Sequence, residues 1–119
     1  MSIENISAIT LATQDMCRSV LFYEALGFEL IYGGTDAGFS SLRAGSGFVN
    51  LTTERPDGEW SWWGRVIFHV ADVDETYAQA AAGFPADTTP RDAQWGERYF
   101  HITDPDGHEL SFARLLGDS

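Results

Sequence analysis

The chain has 119 residues, of which 44% are hydrophobic and 21% are charged, the length and composition of one soluble globular domain with its own core. Eighteen acidic residues against seven arginines and no lysine give a formal net charge of −11, which favours solubility, attracts cations and argues against nucleic acid or an anionic membrane as a partner. No apolar run is long enough to span a membrane, and the N-terminus lacks the regions of a signal peptide. The one cysteine, Cys17, can form neither an intrachain disulfide nor a CxxC metal site. We therefore expect a cytoplasmic protein.

The first half of the chain predicts a strand, a helix and three further strands. Residues 6–13 alternate in polarity and are rich in β-branched side chains, as in a strand. Asp15 has the chemistry of a helix N-cap, apolar residues recur at helical spacing over residues 16–26, and Gly27 ends the helix. Glycine-rich breaks then separate three short strands, which we place at residues 28–32, 39–43 and 48–53.

The second half repeats this order after a linker-like stretch at residues 55–64. Residues 65–71 have the pattern of a strand. Asp72 is a second N-cap, with an acidic residue at the spacing of a capping box. The second helix then covers residues 73–82, and a weak strand is expected from Phe84 onward.

A hairpin follows over residues 95–112, which read WGERYFHITDPDGHELSF. In the turn DPDG at residues 104–107, proline presets φ at the second position and glycine accepts the left-handed closing position. On either side, large apolar residues occupy every second position, which is typical of strands with one face in a core.

The chain therefore contains a βαβββ unit twice, with the N-cap aspartates and the glycines after the helices at matching places. We predict an α+β fold in a single domain spanning residues 1–119. Its first module covers residues 1–54, its linker residues 55–64 and its second module residues 65–116. Because neither sheet can cover its own open face, we expect the two modules to pair and enclose a cavity.

Three segments together carry a family resemblance. They are residues 13–30 (TQDMCRSVLFYEALGFEL), residues 70–84 (VADVDETYAQAAAGF) and the hairpin segment at residues 95–112. The chain resembles the vicinal oxygen chelate superfamily, which includes glyoxalase I, extradiol dioxygenases and bleomycin-resistance proteins. This resemblance implies two βαβββ modules that form an open half-barrel.

The resemblance also implies four positions at which the enzymes of the superfamily hold a divalent metal. In this sequence those positions are Ala8, Asn50, Arg65 and Ser111. Ala8 has no donor atom, Arg65 is a permanent cation, and the other two are weak neutral donors. We therefore expect no metal, no cofactor and no catalytic residue.

The segment WGERYF at residues 95–100 resembles the metal-free branch that contains bleomycin-resistance proteins. This resemblance implies a homodimer that sequesters a small molecule against aromatic side chains. We therefore predict binding of a small aromatic or cationic ligand, as in antibiotic resistance, without chemistry.

Two other functions remain open at this point. One is a metal-dependent lyase, isomerase or dioxygenase of the same superfamily, whose displaced ligands come from His101, Glu109, His69 or Asn50. The other is a purely structural or regulatory module, in which Phe48, Tyr99 and their neighbours fill the cavity.

For several of the predicted ligand-binding residues, more than one structural role is possible. The linker tryptophans are candidates for stacking on a ligand or for a dimer contact, or else they cap the core. His69 and His101 share the parity of the cavity-facing positions and could bond a ligand, act as a base or serve as wall residues. Arg65 is expected to pair with Glu109. The full predicted ligand-binding set is Phe48, Asn50, Trp60, Trp62, Trp63, Arg65, Ile67, His69, Tyr99, His101, Glu109 and Ser111.

Four other side chains are expected to stay outside the site. Trp95 is predicted to pack at the entrance to its strand, His108 to be solvated, and Cys17 to be a small core residue. Arg98 could bind a carboxylate bidentately, but a solvated arginine is expected.

Overall fold

The computed structural model describes residues 2–54 and 61–117. The chain divides into two compact units, Met1–Glu59 and Trp60–Ser119. Each unit contains one helix and one four-stranded sheet in the order βαβββ, which confirms the predicted α+β repeat. Neither helix in the described residues is long and apolar enough to cross a membrane.

The elements of the first unit are β1 (Ala8–Ala12), α1 (Met16–Ala25), β2 (Glu29–Tyr32), β3 (Phe39–Ala44) and β4 (Gly47–Thr52). Its sheet has the strand order β1-β4-β3-β2. β1 runs parallel to β4, and the other neighbours are antiparallel.

Helix α1 begins where the sequence places its cap. Asp15 is extended, and its carboxylate accepts a hydrogen bond from the backbone N–H of Arg18 at 3.1 Å. Gly27, with φ of +100°, follows the end of the helix. Val20 and Tyr23 of the helix are fully buried, as is Leu42 of the sheet that it covers.

The elements of the second unit are β5 (Arg65–His69), α2 (Val73–Ala81), β6 (Arg91–Asp92), β7 (Glu97–Thr103) and β8 (Glu109–Leu115). Its sheet has the equivalent order, β5-β8-β7-β6. β5 runs parallel to β8, whereas β7 is antiparallel to both β8 and β6.

The prediction of a strand from Phe84 onward is wrong in position, because regular strand pairing starts only at Arg91. Asp87 and Thr88 both direct their N–H groups to the carbonyl of His101, at 2.9 and 3.3 Å, so this segment lies along β7 without a regular register. Prolines at residues 85 and 90 lack the N–H that a ladder needs, which accounts for the irregular pairing.

Aromatic stacking fills the core between α2 and its sheet. The ring of Phe112 on β8 stacks against Phe68 on β5 at 5.3 Å and against Phe100 on β7 at 5.4 Å. Tyr77 of α2 meets Phe100 edge-on. Because alternate residues of a strand face opposite sides, the neighbours of these three phenylalanines face away from the helix.

The hairpin turn forms as predicted. The N–H of Gly107, whose φ is +91°, donates to the carbonyl of Asp104 at 3.0 Å. The buried carboxylate of Asp104 accepts from the N–H groups of Asp106 and His108 at 2.9 and 2.8 Å. The turn therefore holds the ends of β7 and β8 in register.

Candidate functional site

Most of the predicted ligand contacts lie on the face of the second sheet that points away from α2. The register across β5, β8 and β7 places Ile67, Ser111 and His101 in one row. The next row contains His69, Ala113 and Tyr99. The structure thus brings side chains from three strands onto one face.

The central strand forms the floor of a shallow trough on this face. Ser111 and Ala113 are small and only 3% and 2% exposed, whereas Ile67 on one side is 60% exposed. Half-buried His101 and Tyr99 form the other side. The flanking strands are about 10 Å apart, and the trough runs about 14 Å along β8, from Glu109 to Ala113. We call this feature the β8 trough, bordered by Arg65, Ile67, Tyr99, His101, Glu109, Ser111 and Ala113.

An ion pair lies at the end of the trough where β5 and β8 begin. The Arg65 guanidinium is 3.1 Å from the Glu109 carboxylate, with side chains 39% and 21% exposed. The indole N–H of Trp62 donates to the same carboxylate at 2.7 Å. These two donors, Arg65 above all, hold the pKa of Glu109 below its usual range. The pairing expected between Arg65 and Glu109 is present.

His101 lies in the middle of the trough wall and is held neutral. Its ring is 4.9 Å from the ring of Tyr99. Burial, reinforced by the Arg65 cation, lowers the pKa of His101, and the carboxylates of Glu109 and Asp87 oppose this only in part. Its Nδ1 atom is buried, and no described residue offers it a hydrogen bond.

Trp95 extends the aromatic wall and was not predicted as part of the site. It is 70% exposed and stacks on Tyr99 at 5.7 Å, while its indole N–H donates to Glu97 at 3.0 Å. The expectation that it packs at the entrance to its strand is confirmed, because Glu97 begins β7 and Tyr99 follows it. The signal was its parity, because Trp95 shares odd numbering with Glu97, Tyr99 and His101 on the same face.

The linker tryptophans do not form one common surface. Trp62 bonds to Glu109, whereas the indole N–H of Trp63 donates to Nδ1 of His108 at 2.7 Å. Glu109 and His108 are adjacent in sequence, so they direct the two indoles to different places. Trp60 lies outside the described residues.

This arrangement also corrects the expectation for His108, which is 6% exposed instead of solvated. Its ring is 5.8 Å from the ring of Trp63. The position of His108 just after a turn does not reveal that its ring is buried, because the indole that covers it comes from 45 residues earlier in the sequence.

Phe48 and Asn50, the remaining predicted contacts, lie on the first sheet. The Asn50 amide accepts from the Ser41 hydroxyl at 2.7 Å and donates to Thr10 at 3.3 Å. The Arg43 guanidinium lies 5.6 Å from the centre of the Phe48 ring. Both side chains therefore already have partners within their own unit.

Two further expectations are wrong. Cys17 is exposed, since it lies on the outer side of α1. Arg98 is ion-paired instead of solvated, with Asp74 at 2.8 Å and Asp92 at 2.9 Å. Its hydrogen bonds lower the pKa of Asp74 and raise that of Arg98 itself.

The sequence agrees with this fold. A model of the Glyoxalase/Bleomycin resistance protein/Dioxygenase superfamily matches residues 5–112. The chain belongs to this superfamily. The predicted membership is thereby confirmed.

Several solved structures have a similar fold. TioX from Micromonospora sp. ML1 is 30% identical, with a TM-score of 0.76 over 95% of this chain and 100% of TioX. A bleomycin-binding protein complexed with bleomycin is 23% identical, with a TM-score of 0.73 over 94% of this chain and 98% of that one. A lactoylglutathione lyase from Agrobacterium tumefaciens is 17% identical, with a TM-score of 0.76 over 95% of each chain. The last two show the fold alone. No curated protein matches the chain.

The superfamily's metal positions do not fit a divalent metal here. Ala8 offers no donor, the Asn50 amide is bonded on both atoms, Arg65 places a cation at the site, and Ser111 is buried on the trough floor. Within residues 2–54 and 61–117, no group of three or more His, Cys, Asp or Glu side chains could hold a metal ion. A divalent centre needs several anionic or imidazole donors, which these four positions do not supply.

Proposed function

We propose that this member of the superfamily binds a small aromatic molecule, neutral or cationic, in the β8 trough and sequesters it without chemical conversion. The observation that supports this most directly is the Arg65–Glu109 pair, at 3.1 Å, at a position where the superfamily's enzymes hold a metal ligand. A permanent cation there favours binding of an organic ligand over binding of a metal.

The aromatic wall supplies the binding surface for such a ligand. Tyr99 and Trp95 stack with an interplanar angle of 26°, and Trp95 remains 70% exposed. Stacking of one more ring is worth about 0.5–1.5 kcal/mol beyond the burial of its area. The net charge of −11 raises the local concentration of cationic ligands.

The alternative enzyme would need ligands that are already occupied. Glu109 accepts from Arg65 and Trp62, and Asn50 is bonded to two hydroxyls. A dication about 5 Å from the Arg65 guanidinium would meet a repulsion of about 7 kcal/mol at an effective dielectric constant near 20. His101 and His69 alone are too few ligands for a stable centre.

Elemental analysis and thermal melting test this proposal together. The purified protein should contain less than one Zn, Ni, Fe or Mn per chain, and added metal should leave its melting temperature unchanged. Metal-free bleomycin with EDTA present, used because a related structure holds that compound, should raise the melting temperature and quench tryptophan fluorescence. One metal per chain held by His101 and Glu109 would overturn the proposal in favour of the enzyme.

We also propose that the protein acts as a homodimer. Trp62 and Trp63 are 69% and 50% exposed, and exposed aromatic residues are enriched at protein interfaces. Sedimentation at tens of micromolar should show a dimer if the dissociation constant is about 1 μM. A monomer at that concentration would contradict this part of the proposal.

A further inference from the structure

Two tryptophan side chains fasten the segment before β5 to the start of β8. We call residues 61–64 the indole strap. The indole N–H groups of Trp62 and Trp63 donate to the carboxylate of Glu109 and to Nδ1 of His108, each at 2.7 Å. We propose that protonation of His108 releases Trp63 and loosens the strap, so that the strap is a conformational switch that responds to pH near neutrality. This switch does not depend on the identity of any ligand.

The bond from Trp63 fixes the protonation state of His108. An indole N–H can only donate, and an imidazole nitrogen accepts only when it carries no proton. Nδ1 of His108 is therefore bare, and the single proton of the neutral ring lies on Nε2. In the imidazolium both nitrogens are donors, so the bond from Trp63 cannot exist once His108 is protonated.

The Trp63 side chain can leave His108 without losing its hydrogen bonding. Trp63 is 50% exposed, so its indole N–H can turn to water instead of staying unpaired beside a second donor. Gly64, whose φ is +142°, is the one residue between Trp63 and β5. A glycine allows the backbone change that this movement needs.

The charged groups around His108 allow it to take up a proton while the protein stays folded. They are the carboxylates of Asp104 and Asp106 in the turn and the Arg65–Glu109 pair that joins β5 to β8. The buried Asp104 carboxylate accepts the backbone N–H of His108 at 2.8 Å. It therefore provides a negative charge in the same turn as the imidazolium.

The bond from Trp62 should persist where the bond from Trp63 is lost. Its acceptor is a carboxylate, and Arg65 holds the pKa of Glu109 below its ordinary range. Histidine is the side chain whose ordinary titration lies between about pH 5 and 8, so Glu109 remains an acceptor throughout that range. Trp95, which donates to the carboxylate of Glu97, should likewise be unaffected.

NMR of the intact protein labelled with ¹⁵N at tryptophan tests this switch. The Trp63→Phe variant identifies the Trp63 indole signal. Between about pH 8 and pH 5.5, this signal should move toward that of a free indole as the ring resonances of His108 titrate. Its exchange with water should rise about fivefold relative to Trp62, as expected for the loss of one hydrogen bond. The Trp62 and Trp95 signals are internal controls and should stay in place.

The His108→Asn variant is the matched control for the titrating group. The asparagine side-chain oxygen accepts a hydrogen bond at nearly the position of Nδ1, but it does not titrate. This variant should therefore hold the Trp63 signal constant over the same pH range. His108→Leu, which has no acceptor, should show the released signal at every pH, and a melting curve verifies that each variant is folded.

Three results would overturn the proposal. If the Trp63 signal keeps its bonded position down to about pH 5.5, no release occurs in the range where histidine titrates. If Trp62 and Trp95 change together with Trp63, the transition is a general loss of structure and not a local switch. If the Trp63 signal still depends on pH in His108→Asn, a group other than His108 controls the strap.

Discussion

Replacing Glu109 by glutamine should lower the free energy of unfolding by a small, measurable amount. The carboxylate accepts from Arg65 at 3.1 Å and from Trp62 at 2.7 Å. With side chains 21% and 39% exposed, solvent screens the pair strongly, so about 1 kcal/mol is expected instead of the several that Coulomb's law gives in a dry site. For a chain of 119 residues this lowers the melting temperature by roughly 4 °C.

The pH dependence of this difference follows from the sign of the pKa shift. The pKa of Glu109 is lowered from its ordinary value of 4.5, so its stabilisation is present above about that pH and is lost as the pH falls through the lower, folded-state value. Wild type and Glu109→Gln should therefore differ in melting temperature at pH 7 and converge in strong acid.

A double-mutant cycle with Arg65→Met isolates the pair. Its coupling energy should be about 0.5–1 kcal/mol. The more exposed Glu29–Arg43 pair, with side chains 70% and 50% exposed, is the matched control and should couple more weakly. If the coupling energy of Arg65 and Glu109 is no larger than that of the control pair, this ion pair stabilises the structure no more than an exposed surface pair, and the reasoning is refuted.

Three further substitutions test other parts of the structure. Wild-type stability should fall as the pH falls below 6.5, because the folded protein resists protonation of His101, and thermal melts of His101→Phe should show a flatter pH profile. Trp63→Phe removes the donor to the buried His108 and should cost about 1 kcal/mol in urea unfolding, with a change in the His108 ring resonances; unchanged resonances would contradict the hydrogen bond. Phe112→Ala removes a ring stacked on both sides and should cost about 3–5 kcal/mol in the same assay; a loss below 1 kcal/mol would contradict its place in the core.

The fold was predictable because its signals are local. An N-cap needs only a carboxylate and the N–H three residues later, as Asp15 and Asp72 show. The DPDG turn likewise depends on proline and glycine at fixed offsets. The segment before β6 escaped prediction because its pairing with His101 is irregular and is set by β7 and not by its own sequence.

The site was predictable only where parity reveals a face. Alternation along β5 and β7 identified Arg65, Ile67, Tyr99 and His101 as residues of one face. The trough itself depends on small residues of β8 lying between large neighbours, and that requires the register between strands. For the same reason, contacts such as Trp63 with His108 could not be read from either segment alone.

An NMR titration of the metal-free protein with bleomycin tests the central proposal most directly. With EDTA present, the account predicts that the largest amide shifts occur at the β8 trough, at Ile67, Tyr99, His101 and Ala113. A matched titration of Ala113→Phe, whose added ring fills the trough floor, should show these shifts reduced or lost. Shifts concentrated on residues 2–54, or binding that appears only after a divalent metal is added, would contradict the account.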